Sequence, residues 1–378
     1  MKTIEEINER IRKGKAVVLT ASEVKKLAEK KSPAEIARKV DVVTTATFSP
    51  MCSSGVFLNM GHTRPPMKMQ KVFLDGVPAY GGIAAVDIYL GATEQNPENP
   101  RFGGAHVIHK LVKGLPVRIC AEGSPTDCYP RSNLDGKFRL DQINQAFFFN
   151  PRNCYQNYNA AANSSEKTLH TYMGKLNPRL GNINYSGAGE ISPLLNDPGL
   201  KTIGIGTAFF FCGTTGYVSW EGTQFNAMQE KDPETGLPIG PGATLALIGN
   251  LKGMKPEFIR PVVIPGYGIT ISLGMGFAIP VMDEDIAKSV MIRNKQIKTR
   301  LMDYATGKCI GFVNYEELIS GKVELSGRKV PSRTMTDIHA STDITEILQD
   351  WVRKGKFFLS TPVKSLPIEG CVKNFPEN

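Results

Sequence analysis

The stretch from Thr44 to Met282 restricts the fold most, because its apolar runs are short and are separated by Gly, Pro, Asn, Ser and Thr. Short apolar runs bounded by turn-forming residues predict β-strands. These runs are Val117–Cys120, Ile203–Cys212, Tyr217–Trp220, Thr244–Ile248 and Val262–Ile264. Helical periodicity is clear only at residues 105–113 and 140–147. The stretch therefore predicts a strand-rich frame with many ordered Gly/Pro/Asn-rich loops, and such loops often carry sites.

The first 47 residues have a different pattern, which predicts helix, strand, helix, helix and strand in that order. The runs Ala16–Leu19 and Val40–Val43 are mostly apolar, as buried strands are. Capping boxes, in which two side chains satisfy free N–H groups at a helix start, have the right spacing at Thr3 with Glu6 and Thr20 with Glu23. Helices that alternate with buried strands indicate an α/β architecture with some parallel pairing.

The C-terminal part predicts a helix over residues 283–300, short strands with glycine turns over residues 301–340, and a last amphipathic helix over Thr342–Lys354. The sequence contains no internal repeat and no low-complexity linker. We therefore expect an α/β fold with one large mixed-sheet domain over residues 1–360, followed by a C-terminal tail over residues 361–378.

The composition is that of an ordinary globular protein, with 41% hydrophobic and 21% charged residues. The formal net charge of +9 favours anionic partners such as carboxylates. The basic residues are dispersed and do not alternate with aromatic residues, which argues against nucleic-acid binding. No apolar run reaches the ~18 residues of a membrane span, and the N-terminus lacks the apolar centre of a signal peptide. We expect a cytoplasmic protein without a membrane partner.

Seven cysteines, an odd number scattered along the chain, do not form a disulfide framework. Two of them have neighbours that suit a reactive thiolate. Cys52 follows a predicted strand and precedes the small residues 53–55, where converging backbone N–H groups can stabilise an anion. Cys128 also follows a strand, in a loop fixed by two prolines, with Arg131 three residues further on. For either cysteine alone, a small buried side chain is the alternative interpretation.

The other five cysteines offer less. Core packing is expected for Cys120, Cys212 and Cys309, which lie in predicted strands or a hairpin. Cys154 and Cys371 lie in loops where no neighbouring residue supports a reactive thiol. None of the five is predicted to have a catalytic role.

Neither a metal site nor a tightly bound cofactor is predicted. His106 and His109 share one face of a predicted helix and could form half of a zinc site, but no third ligand follows at a suitable spacing. The glycine-rich pieces do not match the strand–loop–helix pattern of a dinucleotide or phosphate site. Tight turns explain these glycines more simply.

Five loop motifs follow one another in an order that resembles a known family. They are Thr126-Asp127-Cys128-Tyr129-Pro130-Arg131, Asn184-Tyr185-Ser186, Ser192-Pro193-Leu194-Leu195-Asn196-Asp197-Pro198, Gly216-Tyr217-Val218-Ser219-Trp220-Glu221-Gly222-Thr223-Gln224 and Gly249-Asn250-Leu251-Lys252-Gly253-Met254. Together they resemble the homocysteine-biosynthesis sulfur-incorporation family, formerly a domain of unknown function, whose assigned activity is L-aspartate semialdehyde sulfurtransferase. The resemblance extends from about Ile4 to Trp351.

The resemblance implies L-aspartate semialdehyde and sulfide, or another sulfur donor, as substrates and L-homocysteine as the product. It also implies a separate ferredoxin-type iron–sulfur protein, and anaerobic microbes as the source. Replacing an aldehyde oxygen by sulfur to give a thiol takes two electrons, and the chain has no flavin or nicotinamide fingerprint. An external reduced iron–sulfur donor would supply them. Many family members carry C-terminal CBS modules, which this chain is not expected to have. A homo-oligomer is left open.

The resemblance maps the two family thiols onto Cys128 and Cys52. We expect Cys128 to carry the sulfur as a persulfide or to attack the aldehyde, and Cys52 to take over the sulfur by thiol exchange. This hypothesis requires the two sulfur atoms to lie within exchange distance at the mouth of one cavity.

Four polar residues are candidates for substrate binding. Arg131 and Arg64 suit the substrate carboxylate, because guanidinium binds carboxylate through two hydrogen bonds. Asp197 suits the substrate ammonium, and His62 could give a proton to the departing oxygen. The alternative for each of the four is a role in stabilising its own loop.

Two other functions remain open from the sequence. In one, Cys52, Cys128 and a third cysteine hold an iron–sulfur cluster in this chain. In the other, the chain is a non-catalytic sulfur carrier or scaffold that binds the ferredoxin-type protein. The many ordered loops favour a small-molecule pocket over the second alternative.

Overall fold

The computed structural model of the protein describes residues 1–376. The helices are α1 (Ile4–Arg12), α2 (Ala21–Leu27), α3 (Pro33–Lys39), α4 (Gly104–Val112), α5 (Pro193–Asn196), α6 (Glu284–Val290), α7 (Tyr315–Ile319) and α8 (Ile338–Arg353). Short 3-10 helices lie at Leu140–Gln142, Gly189–Ile191, Leu251–Gly253, Pro256–Phe258 and Asn294–Gln296. Within this described part, none of the helices combines the length and the apolar character that crossing a membrane requires.

Strands outnumber helices, as the many short apolar runs predict. They are β1 (Val18–Thr20), β2 (Val42–Pro50), β3 (Gly55–Asn59), β4 (Lys71–Leu74), β5 (Val77–Tyr80), β6 (Asp87–Gly91), β7 (Val117–Glu122), β8 (Asn133–Phe138), β9 (Ala146–Asn153), β10 (Ala160–Ala162), β11 (Leu169–Thr171), β12 (Gly174–Leu176), β13 (Ile183–Tyr185), β14 (Ala208–Phe211), β15 (Thr214–Glu221), β16 (Leu245–Asn250), β17 (Ile259–Ile264), β18 (Gly268–Pro280), β19 (Lys298–Asp303), β20 (Lys308–Asn314), β21 (Lys322–Leu325) and β22 (Arg328–Thr334).

The N-terminal alternation of helices and strands is confirmed. The order is α1, β1, α2, α3 and β2, and β1 pairs with β2 in parallel. Both predicted capping boxes form, at Thr3 and at Thr20, with the hydrogen bonds running in both directions. Ser32 caps α3, and Pro33 occupies its first turn, where a missing N–H costs nothing.

Fourteen strands form one large sheet in the order β1-β2-β18-β14-β15-β16-β9-β3-β6-β5-β4-β7-β8, with β17 paired to β18. Strand β18 has 13 residues and pairs with β2 along the length of β2. The β1–β2 pair is parallel, whereas β2–β18 and the pairs beyond it are antiparallel. The predicted α/β fold with a large mixed sheet is confirmed.

Helix α8 covers the sheet where β2 and β18 pair. Ile344, Leu348 and Val352 recur every four residues on one face of α8, and all three are fully buried. They join Phe48 of β2 and Phe210 of β14 in one apolar cluster. This packing fixes the end of β2, from which the Cys52 turn continues.

Six strands form a second sheet in the order β20-β19-β10-β13-β22-β21. The pairs β10–β19 and β13–β22 are parallel, so this sheet is mixed as well. Strands β11 and β12 form a separate two-stranded hairpin.

The helix predicted over residues 140–147 is wrong. Only the 3-10 turn Leu140–Gln142 is helical, and β9 begins at Ala146. Phe147 is 45% exposed and Phe148 is fully buried, which is the two-residue alternation of a strand with one buried face. The three consecutive phenylalanines at residues 147–149 fit the period of a helix as well as that of a strand. Pairing with β16 and β3 makes this segment a strand.

The helix predicted over residues 283–300 is too long. Helix α6 ends at Val290, and β19 begins at Lys298. Alternate residues of β19 are buried, which is a strand pattern that the charged residues of the segment conceal. The last helix begins at Ile338 instead of Thr342, because Asp337 caps it by accepting a hydrogen bond from the Ala340 N–H group.

Candidate active site

A cavity of about 330 Å³ lies where the large sheet, the six-stranded sheet and the β11–β12 hairpin meet. Its walls come from the end of β2 and the turn after it, from the loop that follows β9, from the hairpin and from the start of α5. Ligand pockets for small molecules have volumes from roughly 300 Å³ upward. The cavity therefore has the size of a small-metabolite site.

Cys52 lines this cavity from the turn between β2 and β3. Its Sγ atom accepts a hydrogen bond from Thr270 Oγ1 of β18 at 3.3 Å. The Met51 N–H group donates to the Ile271 carbonyl at 2.7 Å, and Ser54 Oγ donates to the Met51 carbonyl at 2.7 Å. These bonds hold the turn against β18, so the half-buried thiol has a fixed direction into the cavity.

Asn150 joins the Cys52 turn to strand β9. This fully buried side chain donates from Nδ2 to Ser54 Oγ at 2.8 Å and accepts the Arg152 N–H group on Oδ1 at 2.8 Å. The register of β9 with β16 shifts here, so that Pro151 and Arg152 lie opposite Ala246 alone. Such a bulge redirects a side chain, and bulges are frequent next to active sites.

In the described part of the chain, Arg152 is the one charged side chain that lines the cavity. Its guanidinium is half-buried and forms no ion pair or side-chain hydrogen bond within residues 1–376. Burial raises the pKa of Tyr155, and the Arg152 charge partly offsets that rise, so the two side chains are neighbours. A half-buried cation with no protein counter-ion favours an anionic ligand.

Tyrosines form a second wall of the cavity. The rings of Tyr155 and Tyr158 meet edge to face at 5.0 Å, and Tyr172 lies 6.4 Å from Tyr158. Tyr304 donates a hydrogen bond to the Tyr172 hydroxyl at 2.7 Å. Burial raises the pKa of Tyr155, Tyr158 and Tyr267, so these phenols stay protonated at neutral pH and are available as hydrogen-bond donors.

A chain of hydroxyl groups begins at Thr47 and Ser49, which line the cavity. Ser49 Oγ lies 2.9 Å from Thr47 Oγ1 and 2.6 Å from Thr336 Oγ1, which accepts the Gly187 N–H group at 2.8 Å. These bonds tie β2 of the large sheet to the loop after β13 of the second sheet. The two sheets are therefore held together at the cavity itself.

Cys154 is a cavity residue that the sequence reasoning missed. Its backbone is left-handed, with φ of 50°, and its thiol packs 3.9 Å from Met275 Sδ. The residue is 5% exposed, and burial raises the pKa of Cys154 to about 12, so the thiol is protonated. The polar sequence around Cys154 does not indicate a cavity residue, because the contact of its thiol with β18 forms only in the folded chain.

Core packing was predicted for three further cysteines, and the structure gives them different environments. Cys212 is fully buried, as predicted, and burial raises its pKa. Core packing is wrong for Cys309, which is exposed on the β19–β20 hairpin. Cys120 is half-buried, with its Sγ 3.7 Å from Asp135 Oδ1.

Cys128 is exposed on the loop between β7 and β8 and does not line the cavity. Backbone hydrogen bonds between Thr126 and Tyr129 at 3.1 Å close a turn around it. Thr126 Oγ1 lies 3.6 Å from the Cys128 sulfur. The thiol therefore faces solvent in an ordered turn.

His62, Arg64 and Arg131 lie near Cys128 and not in the cavity. The His62 ring stacks on the Tyr129 ring at 6.1 Å, and the Arg131 N–H group donates to the Pro66 carbonyl at 3.2 Å. His62 and Arg64 are exposed, and Arg131 Nε donates within its own loop to the Asn133 carbonyl at 2.7 Å. The structure thus groups these predicted residues in one surface region, and their binding of substrate stays a prediction.

Asp197 follows α5 behind the cavity wall and is buried. Its carboxylate accepts the backbone N–H groups of Lys201, Thr202 and Ile203 and the Thr202 hydroxyl, at 2.8 to 3.1 Å. These bonds stabilise its own loop. Contact between Asp197 and a substrate ammonium stays a prediction.

The structure does not bring Cys52 and Cys128 together. Strand pairing from β3 through β6, β5 and β4 to β7 puts Glu122, at the end of β7, level with Phe57 of β3 and four strands away from it. Four steps between neighbouring strands amount to about 19 Å. Of the two thiols, Cys52 lines the cavity and Cys128 does not, and sulfur exchange between them stays a prediction.

The paired histidines have a local role. His106 Nδ1 accepts the Gly103 N–H group at 3.2 Å at the start of α4. Burial lowers the pKa of both His106 and His109. Across residues 1–376, no three His, Cys, Asp or Glu side chains are grouped in the manner of metal ligands.

Comparison with known families adds the decisive observation. A family model described as homocysteine biosynthesis enzyme, sulfur-incorporation, matches residues 16–359. The chain belongs to this family. The resemblance inferred from the five loop motifs is thereby confirmed, and the cavity lies within the matched part of this sulfur-incorporation enzyme.

Two curated relatives cover all of this chain. The L-aspartate semialdehyde sulfurtransferase of Methanosarcina acetivorans is 44% identical over 381 residues, which cover 74% of that protein. The protein of the same name from Methanocaldococcus jannaschii is 45% identical over 397 residues, which cover 75% of it. An uncharacterized protein of Methanothermobacter thermautotrophicus is 29% identical over 337 residues, or 85% of this chain and 72% of that one. No solved structure matches this chain.

Proposed function

We propose that this protein is an L-aspartate semialdehyde sulfurtransferase that forms L-homocysteine, with Cys52 as the thiol that meets the substrate. The observation that carries the proposal is the place of Cys52, which faces a cavity of small-metabolite size from a turn held by hydrogen bonds. The names of the two relatives at 44% and 45% identity support the substrate and product.

The reaction needs an external reductant. Aldehyde plus hydrogen sulfide gives a thioaldehyde and water, and two electrons with two protons then reduce the thioaldehyde to the thiol. If the sulfur arrives as a persulfide, two further electrons are needed, because the terminal sulfur of a persulfide is two electrons more oxidised than sulfide. A ferredoxin-type iron–sulfur protein is the proposed source, and the net charge of +9 on this chain suits an acidic partner.

In the proposal, Cys52 presents the sulfur to the aldehyde carbon. The Cys52 persulfide adds to that carbon, and a protonated tyrosine of the cavity wall donates a hydrogen bond to the oxygen that later leaves as water. Two electrons then break the S–S bond, which returns Cys52 as a thiol and leaves the new sulfur on a carbon that still carries the hydroxyl group. Loss of water gives the thioaldehyde, and two further electrons reduce it to the thiol. With free sulfide as the donor, the Cys52 thiolate adds to the aldehyde, sulfide replaces the hydroxyl group, which leaves as water, and departure of the Cys52 thiolate gives the same thioaldehyde. Such thiol chemistry requires a reducing compartment, and we propose the cytoplasm.

In this proposal, Cys128 accepts the sulfur from its donor at the protein surface. Its exposed turn is accessible to a protein-sized sulfur donor, whereas the cavity around Cys52 is not. Attack of the Cys52 thiolate on the Cys128 persulfide would move the sulfur without net transfer of electrons. Because the two thiols lie apart, this exchange needs movement of the loop over residues 123–132 or contact between two copies of the chain.

The test is an anaerobic incubation with L-aspartate semialdehyde, sulfide and a low-potential reductant, followed by mass spectrometry of the products. The expected product is homocysteine, and L-aspartate, which lacks the aldehyde, should give none. Cys52→Ser should stop the reaction, and Cys309→Ser, which changes an exposed thiol on the β19–β20 hairpin, should not. Absence of homocysteine together with tight binding of an iron–sulfur protein would support the scaffold function instead.

A further inference from the structure

We infer that Arg152 binds the substrate carboxylate inside the Cys52 cavity, so that the site selects small carboxylate-bearing aldehydes. The substrate's identity rests on the proposed function above. The carboxylate-binding role rests on the charge, position and hydrogen bonding of Arg152 and is tested separately below.

The first argument is charge. Among the described residues, no Asp, Glu, Lys or His lines the cavity, and Arg152 is the one charged group on its wall. Its guanidinium has no protein counter-ion within residues 1–376, although other half-buried arginines of the chain, such as Arg300 with Glu230, do. Guanidinium binds carboxylate through two parallel hydrogen bonds, which fixes orientation as well as charge.

The second argument is position relative to Cys52. Strands β3 and β9 are antiparallel, with Gly55 opposite Phe149. One step beyond this pair, Ser54 and Asn150 are joined by a side-chain hydrogen bond of 2.8 Å. Cys52 and Arg152 follow this joined pair on either side, and both line the same cavity. Both also act electrostatically on the Tyr155 phenol: burial raises the pKa of Tyr155, the Arg152 charge lowers it and a Cys52 thiolate raises it, so the thiol and the guanidinium lie near one side chain.

The third argument is rigidity. Asn150 donates a hydrogen bond to the Ser54 side chain of the Cys52 turn and accepts one from the backbone N–H of Arg152. One buried side chain therefore fixes both the turn that carries Cys52 and the backbone of Arg152. The bulge at Pro151 and Arg152 directs the long side chain toward the cavity. A substrate held by its carboxylate at Arg152 would present its other end, the aldehyde, to the neighbouring sulfur.

In this inference the substrate carboxylate binds to Arg152 in the cavity and not to the surface arginines. Arg131 and Arg64 lie with Cys128, and the Arg131 side chain is already engaged by the Asn133 carbonyl. Sequence reasoning did not find Arg152 because it follows Asn150 and Pro151 in a segment with no motif around it. The strand pairing that brings it to Cys52 is not visible in the local sequence.

The experiment compares alkylation of Cys52 by iodoacetate and by iodoacetamide, with each cysteine peptide measured by mass spectrometry. The two reagents differ chiefly in the carboxylate, so the ratio of their rates cancels changes in thiol reactivity. In the intact protein, iodoacetate should be favoured at Cys52 relative to Cys128 and Cys309. Arg152→Gln should lower that ratio at Cys52 about tenfold or more, since charged hydrogen bonds of this kind are strong. Arg152→Lys should keep part of it.

The control is Arg118→Gln, which removes an exposed arginine paired with Asp135 on the β7–β8 edge. This variant should leave the Cys52 ratio unchanged. An unchanged ratio in folded Arg152→Gln, checked by circular dichroism, would overturn the inference. If Arg152→Gln does not fold, Arg152→Met, which keeps an unbranched stem without the charge, takes its place, and an unchanged ratio there would overturn the inference.

Turnover separates this inference from the proposed function. Arg152→Gln should raise the KM for L-aspartate semialdehyde about tenfold or more, with a smaller fall in kcat. Loss of the alkylation preference in a protein that never forms homocysteine would support the carboxylate site and reject the proposed reaction. Homocysteine formation with an unchanged KM in Arg152→Gln would support the proposed reaction and reject the carboxylate site.

Discussion

The Cys52 cavity and the Cys128 loop give the same chemical group two different environments. Cys52 is half-buried, accepts a hydrogen bond from Thr270, and faces a cavity with one unpaired cation. Cys128 is exposed in a solvent-facing turn beside His62 and Arg64, after a strand that lies four steps across the sheet from β3. A cavity of this size can select a small molecule, and an exposed turn can meet another protein. The comparison indicates a division of labour between the two thiols.

Replacement of Cys52 should have the largest effect. We expect Cys52→Ala to lower homocysteine formation by about a thousandfold or more at any sulfide concentration, because removal of a nucleophile is not compensated by its neighbours. The rate is measured under anaerobic conditions by mass spectrometry of homocysteine. A variant that retained a tenth of the activity would show that the cavity thiol is not needed.

Replacement of Cys128 should depend on the sulfur source. With a protein-bound persulfide donor, Cys128→Ala should lose activity roughly a hundredfold, because the exposed acceptor is missing. With excess free sulfide and a chemical reductant, the rate should stay within about threefold of the unchanged protein. Complete loss of activity with both sulfur sources would mean that Cys128 acts inside the cavity. That result would contradict separate roles for the two thiols.

The thiols should also differ in their reactivity toward iodoacetamide. Because burial raises the pKa of Cys154 to about 12, only about one thiol in ten thousand is ionised at pH 8. Cys154 should therefore react at least a hundredfold more slowly than exposed Cys128 in the folded protein. In denaturant the difference should disappear. Fast labelling of Cys154 in the folded state would contradict a closed cavity wall.

Asn150→Ala should affect the cavity and spare the loop. It removes two buried hydrogen-bonding partners, so unfolding should become easier by about 1–3 kcal/mol in a denaturant titration. The iodoacetate preference of Cys52 should fall, while the labelling rate of Cys128 stays the same. Equal changes at both thiols would show that the two regions are not independent.

Tyr129→Ala should have the smallest effect. Tyr129 stacks on His62 at the surface, so its loss should cost less than about 1 kcal/mol of unfolding free energy. Faster hydrogen exchange should be confined to the loop over residues 123–132 and the segment that carries His62. A change in the KM for the substrate would link this loop to the cavity.

Much of the frame was predictable because it depends on local signals. The capping boxes at Thr3 and Thr20 and the apolar runs of β1 and β2 need only neighbours a few residues away. The prediction failed at residues 140–147, where a run of phenylalanines fits both a helix and a strand with one buried face. Pairing with β3 and β16 decides that case.

The candidate site was predictable only in part. Loop chemistry and family motifs singled out Cys52, which lines the cavity, and grouped Arg131 with Cys128, which it accompanies. Neither could indicate Arg152, near the end of β9, or Cys154, the residue after β9, because no motif surrounds them. They line the cavity because β9 pairs with β3 and Cys154 packs against Met275 of β18.

The sequence alone determined the α/β class, the family and the two thiols of interest, since each depends on residue types in a short window or on motifs in order. Only the tertiary structure decided that Cys52 and Arg152 line the same cavity and that Cys128 lies outside it at the surface. Strand pairing joins residues about a hundred positions apart, and the free energy that selects one pairing comes from burial of the whole sheet. No local pattern carries that information.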